Sequence, residues 1–191
     1  MAEDSGDKEY LTGKLIVAMP NMTDPRFANS VIFICGHDKS GAMGLVINRL
    51  VETLTFFGLM EQLNIPVDPN IQDRPINYGG PVEMGRGFVL HSSDYMHESS
   101  VSIAENVVLT ATVDILRDLA QGGGPERCLL ALGYAGWSPG QLEKEIQNNG
   151  WLEVEVDEEL IFETRLDHRW REALEKIGVD PAMLSASAGH A

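Results

Sequence analysis

Three apolar runs in the first quarter of the chain constrain the fold most strongly. They are Leu15–Met19, Ser30–Cys35 and Met43–Asn48, and each is bounded by Gly, Pro, Asn or Asp. Each run is apolar on both faces, whereas a strand with one face in water alternates apolar and polar residues. The runs therefore predict strands that are covered on both sides, in the middle of a sheet or in a closed, barrel-like arrangement.

Shorter segments predict further strands and a few helices. Strands are expected near residues 76–78, 88–90, 107–109, 128–134 and 151–156, the last with an acidic outer face. Thr55, Ser138 and Asp167 are each expected to cap a helix, and a further helix is expected at 112–121. Because most strands come first and the helices are interspersed irregularly, the order favours an α+β fold over repeated βαβ units.

Length and composition predict one domain with two tails. The chain has 191 residues, of which 43% are hydrophobic, enough for a single core. Residues 1–9 are small, polar and mostly acidic, and residues 181–191 form an end that offers little to a core. The sequence therefore predicts disordered tails at 1–9 and 181–191 around a single domain at 10–180.

The charge balance restricts the partners. The chain has 29 acidic and 14 basic side chains, a net charge of -15, and its Arg and Lys residues are scattered singly. Such a field repels phosphate backbones and anionic lipids, so direct nucleic-acid binding and membrane binding are not expected. No apolar run approaches the roughly 20 residues that span a bilayer. Cys35 and Cys128 form no C-x-x-C pair and no signal-peptide core precedes them, which predicts a cytoplasmic protein.

Gly136-Trp-Ser138-Pro-Gly140 matches the G-x-S-x-G pattern of a hydrolase nucleophile. Asp157 or Asp167, and then His168, follow in the order that a catalytic triad of this kind uses. The oxyanion hole, however, needs the backbone N–H of the residue after the serine, and Pro139 has none. The pattern is explained better as the start of a helix, and we assign no catalytic residue.

Two other segments have the composition of a ligand site. His91, Asp94, His97 and Glu98 lie close together but match no metal-binding spacing, so they indicate a polar surface loop. Gly79–Gly87 is rich in glycine and could cradle an anion, although turn geometry explains the glycines as well. We therefore expect no metal and no cofactor.

Several longer segments carry a family resemblance. They are Gly13–Phe27, Ser30–His37, Gly41–Asn48, Tyr78–Val82 and Gly133–Glu143. In this order they resemble the YqgE/AlgH family (DUF179, UPF0301), with Leu50 where that family often has proline. The resemblance implies an α+β domain whose strongly bent mixed sheet folds towards a pseudo-barrel with a few flanking helices. The family carries a transcriptional-regulator label without an established DNA-binding element or catalytic mechanism, so the resemblance leaves the function unknown.

The remaining candidates are residues suited to binding a ligand or a protein partner. The loop Asn21–Phe27 carries charged and bulky side chains that a plain connection between buried strands does not need. The predicted binding residues are Asp24, Arg26, His37, Asn48, Gly80 and Trp137. We favour a non-enzymatic regulatory or binding protein that acts through protein or small-ligand contacts. The alternative is an enzyme with a small-molecule substrate in a cleft near Asp24, His37 and Asn48, where His37 would transfer protons. The oligomeric state is left open.

Overall fold

The computed structural model describes residues 10–186, in which ten strands and six helices are formed. The strands are β1 Leu15–Ala18, β2 Val31–Asp38, β3 Gly41–Val46, β4 Leu50–Thr55, β5 Pro75–Tyr78, β6 Val82–His91, β7 Val101–Ala104, β8 Val107–Thr110, β9 Cys128–Trp137 and β10 Trp151–Val154. The helices are α1 Phe56–Gln62, α2 Val113–Ala120, α3 Gln141–Gln147, α4 Glu158–Phe162, α5 Leu166–Lys176 and α6 Pro181–Ala186. No helix within residues 10–186 has the length and hydropathy needed to cross a membrane.

The strands form one strongly curled mixed sheet. Its main order is β10-β1-β2-β3-β9-β6-β8-β7, with β4 paired to β5 and β5 paired in parallel to β9. A Cβ at Gly13, just before β1, would lie only 2.9 Å from the carbonyl oxygen of Ile103 in β7. The two ends of the sheet therefore approach each other. The sheet is therefore a half-barrel, and the predicted α+β class with a bent sheet is confirmed.

Both faces of the first strands are covered, as their apolar sequences predict. Leu15 and Val17 point into the half-barrel, where α4 and α5 complete the core. Ile16 and Ala18 point to the opposite face, where they pack with residues that include Trp137, Leu142 and Trp151. Strand alternation thus sends successive side chains of β1 into two separate cores.

The strand β10 lies at one end of the sheet and shows its acidic face to solvent. Glu153 is exposed, and Lys14 of the region before β1 pairs with its carboxylate and with that of Glu155, the latter at 3.5 Å. An acidic outer face protects a sheet end against pairing with another chain.

Cys35 is buried, Cys128 is half-buried, and both are free thiols.

Several element boundaries differ from those predicted. Helix α3 begins after Gly140 rather than after Ser138, and α5 begins after Arg165 rather than after Asp167. The strands β4 and β7 were not predicted, because their sequences are largely exposed and lack an apolar run. The segment predicted as a tail at 181–191 contains α6, while the tail predicted at 1–9 and residues 187–191 lie outside the described residues.

Candidate functional site

The side chain of Asn48 holds the start of β2. Its Oδ1 accepts a hydrogen bond from the backbone N–H of Val31 at 2.9 Å, and its Nδ2 donates to the carbonyl of Asn29 at 2.8 Å. The neighbouring Arg49 donates to the carbonyl of Pro25 at 3.3 Å and also to those of Arg26 and Ala28. The two side chains therefore fix the loop before β2, and both hydrogen-bonding ends of the Asn48 amide are already used.

Asp24 and Arg26 lie in this same loop and are paired with each other. The Asp24 carboxylate accepts hydrogen bonds from the backbone N–H of Arg26 and from its guanidinium, with a closest distance of 2.7 Å. The hydrogen bonds from the Arg26 side chain hold the pKa of Asp24 below its usual range. The charges of the pair thus stabilise a local turn.

His37 lies near the opposite end of β2, and only 1% of its side chain is exposed. Its Nδ1 accepts a hydrogen bond from the backbone N–H of Leu11 at 3.0 Å, so the ring proton lies on Nε2. Nε2 is 3.3 Å from a carboxylate oxygen of Glu143, yet it makes no hydrogen bond of good geometry to any described residue. His37 and Trp137 share a shallow hollow of about 300 Å³ beside the turn between β2 and β3.

Trp137 is buried and fixed by a carboxylate. Its indole N–H donates to Glu145 Oε2 at 2.9 Å, and the indole N–H of Trp151 donates to the same oxygen at 2.8 Å. Gln141 donates to the other carboxylate oxygen at 2.9 Å. This arrangement docks α3 on the sheet and leaves no free polar atom on the Trp137 side chain.

The cleft postulated near Asp24, His37 and Asn48 is not formed. Asn48 contacts Val31 at the first residue of β2, and His37 is six residues further along the same strand. At about 3.3 Å of rise per residue, the two ends are roughly 20 Å apart. The structure therefore corrects this part of the enzyme alternative, because sequence proximity to apolar strands does not reveal at which end of a strand each side chain lies.

Gly80 lies where the chain crosses from β5 to β6 against β9. Its φ is +154°, and a Cβ at this position would lie 2.1 Å from the carbonyl carbon of Tyr134. Gly79 is equally close, with a Cβ position 2.2 Å from the carbonyl oxygen of Gly133. Close backbone packing accounts for both glycines, so the structure gives Gly80 a packing role and leaves its predicted binding role untested.

The remaining motifs also have structural partners. The backbone N–H of Ser138 donates to Gln141 Oε1 at 3.0 Å, as expected for a segment that leads into a helix. His91 is buried, with its Nε2 2.7 Å from Thr110 Oγ1 and its Nδ1 2.9 Å from the carbonyl of Ser92. Within the described residues, no group of three or more His, Cys, Asp or Glu side chains is placed to hold a metal ion.

A feature that sequence reasoning missed is an apolar groove between α1 and α2. We call it the α1–α2 groove, and it is bounded by Leu59, Leu63, Val113, Leu116, Gly85 and Gly87. Its floor is formed by sheet residues that include Ile76, Phe88 and Leu130, and it encloses a cavity of about 150 Å³. Leu63 is 42% exposed and Val113 is 41% exposed, so large apolar side chains stand open to solvent at its mouth.

The chemistry of the α1–α2 groove is that of a binding surface. None of the described residues that line it is titratable. Its polar side chains are Thr110 and Thr112. The Thr110 hydroxyl lies 2.7 Å from both Ser100 Oγ and His91 Nε2, and the Thr112 hydroxyl lies 3.0 Å from Ser99 Oγ. A concave, mostly apolar pocket is the usual form of a ligand or partner site, and no described residue that lines this one carries a carboxylate, imidazole, amine or thiol.

The apolar stripe of α1 is the sequence feature that indicates part of this groove. The helix expected after Thr55 carries Phe56, Leu59, Met60 and Leu63 on one stripe, and of these only Phe56 and Met60 are buried. Leu59 is half-buried and Leu63 is exposed, so part of this stripe supplies apolar surface to the groove. The partner wall on α2 cannot be located without the fold.

The fold and the groove define a class of protein, an α+β half-barrel with an apolar groove on its outer side. The described residues that line this groove have no titratable side chains. The AlgH-like family model (DUF179) matches residues 15–182. A UPF0301 protein from Rhodospirillum rubrum is 50% identical over 182 residues, covering 95% of each chain, and one from Cereibacter sphaeroides is 53% identical, covering 95% of this chain and 99% of its own. The chain therefore belongs to the AlgH-like (DUF179, UPF0301) family, which confirms the resemblance.

Solved structures agree with this assignment. The solution structure of AlgH from Pseudomonas aeruginosa matches with a TM-score of 0.78 and 39% identity, covering 100% of both chains. A crystal structure of a protein from Corynebacterium diphtheriae has a TM-score of 0.68 at 19% identity, covering 93% of this chain and 92% of that one. The second likeness is one of fold alone.

Proposed function

We propose that this chain is a non-enzymatic binding protein and that the α1–α2 groove is its binding surface. The observation that carries the proposal is the open apolar cavity whose mouth exposes Leu63 and Val113. A partner that covered these side chains would gain about 25 cal/mol of binding free energy for each Å² of apolar surface removed from water. The absence of titratable groups among the described lining residues supports binding over catalysis.

The family's regulator label is compatible with this proposal only through an indirect mechanism. A net charge of -15 opposes contact with the phosphate backbone. A regulatory effect would therefore pass through a protein or a small ligand that occupies the α1–α2 groove, in a cytoplasmic setting. Sequence-specific DNA binding by the purified chain at physiological salt would contradict this mechanism.

The groove can be tested with a neutral apolar dye whose emission rises in apolar surroundings, such as Nile red. We expect saturable binding to the wild-type protein, with amide shift changes centred on the groove. Gly87→Val should abolish binding by filling the groove, because its Cβ would lie 3.7 Å from Leu132, an ordinary contact with a lining side chain. Leu63→Ser should weaken binding.

Leu50→Ser is the matched control for Leu63→Ser. Both leucines are 42% exposed, but Leu50 does not line the groove. The control should bind the dye as the wild type does. Equal loss in both leucine variants, or dye binding that Gly87→Val leaves unchanged, would contradict the proposed function.

A further inference from the structure

The edge of β6 that faces the α1–α2 groove is unpaired. The ladder between β6 and β8 ends at the pair Val89 and Thr110, although β6 continues back to Val82. On its other side, β6 remains paired to β9 at Phe88 and Gly87. Beyond Thr110 the chain turns away into α2, so within the described residues no strand lies beside Gly85–Phe88 on the groove side.

The ladder also shows which backbone groups point towards this empty edge. The N–H of Ser92 donates to the carbonyl of Arg127, which continues the β6–β9 pairing. Residues of an antiparallel strand direct their N–H and C=O alternately to the two sides. Counting back from Ser92, Phe88 faces β9 and Gly87 faces the groove side. Gly87 is exposed and lines the groove, so its N–H and C=O are available beside an apolar cavity.

From this geometry we infer that the occupant of the groove is an extended peptide segment of a protein partner, which adds to β6 as a strand. This inference rests on the proposed function and names the ligand class for the same site. Main-chain hydrogen bonds to Gly87 would hold the segment in register, and its alternate side chains would enter the cavity between α1 and α2. Strand addition to an exposed sheet edge combines these two sources of affinity and specificity.

The charge around the groove specifies the segment further. Arg86 pairs with Glu83 at 3.6 Å and Arg117 pairs with Asp114 at 3.1 Å, so the nearby cations are compensated. With those cations compensated, the net charge of -15 on the whole chain makes the surroundings of the groove acidic. The complementary partner has alternate apolar side chains with neutral or basic residues between them.

The test begins with a displayed library of random short peptides, panned on the full-length protein and selected by displacement with Nile red. Each selected peptide is then synthesised with a single backbone N-methyl group at every position in turn. If the peptide adds as a strand, methylation of every second amide weakens binding by about tenfold or more, and methylation of the amides between them does not. Gly87→Val should abolish binding, and Leu50→Ser should preserve it.

The other outcomes separate this inference from the proposed function. Peptides that bind the groove as helices, or that tolerate N-methylation throughout, overturn strand addition and leave the groove as a binding site. The same holds if Nile red binds the groove but no peptide competes with it. Self-association of the wild-type chain that Gly87→Val removes identifies a second copy as the occupant and also overturns the inference. Failure of dye and peptide alike overturns both proposals.

Discussion

Single polar side chains fix the backbone at the points where the apolar strands begin and end. Asn48 satisfies one donor and one acceptor of the loop before β2, and Arg49 adds hydrogen bonds to three carbonyls of that loop. A buried or partly buried backbone group that loses its partner costs more than the bond itself contributed. Asn48 was predicted from the sequence to bind a ligand or partner, and in the fold its hydrogen bonds order a loop while the binding role stays a prediction.

Substitution of Asn48 should therefore affect stability. Asn48→Ala removes the acceptor of the Val31 N–H and the donor to Asn29, and we expect a loss of about 1–3 kcal/mol in the free energy of unfolding. Urea denaturation followed by circular dichroism measures it. Asn70→Ala is the control, because Asn70 is exposed and its side chain donates a hydrogen bond to the nearby Asp68. An equal effect of the two substitutions would contradict the role of Asn48.

Buried His91 should make stability depend on pH. Burial lowers the pKa of His91 below its ordinary value of 6.5, so the folded state holds this ring neutral. Because the unfolded chain takes up the proton more readily, the stability is complete above about pH 6.5 and falls as the pH decreases. The slope is at most about 1.4 kcal/mol per pH unit for one proton.

The measurement is the melting temperature between about pH 7.5 and about pH 5, which lie above and below the ordinary histidine pKa. His91→Gln should show a smaller decrease than the wild type over this interval. His168→Gln, at an exposed histidine, should follow the wild type. Parallel curves for wild type and His91→Gln would show that His91 is not the group responsible.

At the scale of elements, α3 is docked by one carboxylate. Glu145 Oε2 accepts both indole N–H groups, those of Trp137 in β9 and Trp151 in β10. The two rings also pack edge to face, with centroids 6.1 Å apart. The helix therefore covers the outer core through a hydrogen-bonded contact that joins two distant strands of the sheet.

Removal of this carboxylate should loosen α3 without unfolding the half-barrel. Glu145→Ala leaves two indole donors without their acceptor, and we expect a loss of about 2–4 kcal/mol together with a red shift of tryptophan emission. Lys144→Ala is the control, since Lys144 is an exposed neighbour on the same helix. If the emission of Glu145→Ala matches that of the control, the two tryptophans are not held in this way.

The crossing from β5 to β6 requires glycine at position 80, because the backbone of β9 lies against it. Gly80→Ala would place a Cβ 2.1 Å from a backbone carbon of Tyr134 at a φ of +154°, so β5 and β9 could not remain in contact. We expect a loss of more than about 4 kcal/mol and poor recovery of folded protein. Gly85→Ala is the control, because nothing lies within 4 Å of its Cβ. Ordinary stability of Gly80→Ala, measured by thermal unfolding, would contradict this packing.

At the scale of the whole molecule, sequence reasoning succeeded where burial alone determines the structure. The two-sided apolar runs of β1, β2 and β3 predicted central, covered strands, because local composition reports burial directly. It failed for β4 and β7, whose pairing depends on neighbours that are distant in sequence.

The same limit applied to the site. Gly87 and Leu63 come together only in the folded chain, and nothing local shows that β8 ends before β6 does. Of the predicted binding residues, Asp24 and Arg26 lie in the loop before β2, and Asn48, between β3 and β4, hydrogen-bonds to the end of that loop. His37, Trp137 and Gly80 lie elsewhere, so the six residues do not form a single site.

The central claim is that the chain acts by binding a partner through the α1–α2 groove. The most direct measurement is affinity capture from native extract of the source cells, with wild type, Gly87→Val and Leu50→Ser as parallel baits and mass spectrometry of co-eluting proteins and small molecules. We predict a stoichiometric partner that wild type and Leu50→Ser retain and Gly87→Val loses. A partner held equally by all three baits would contradict the claim.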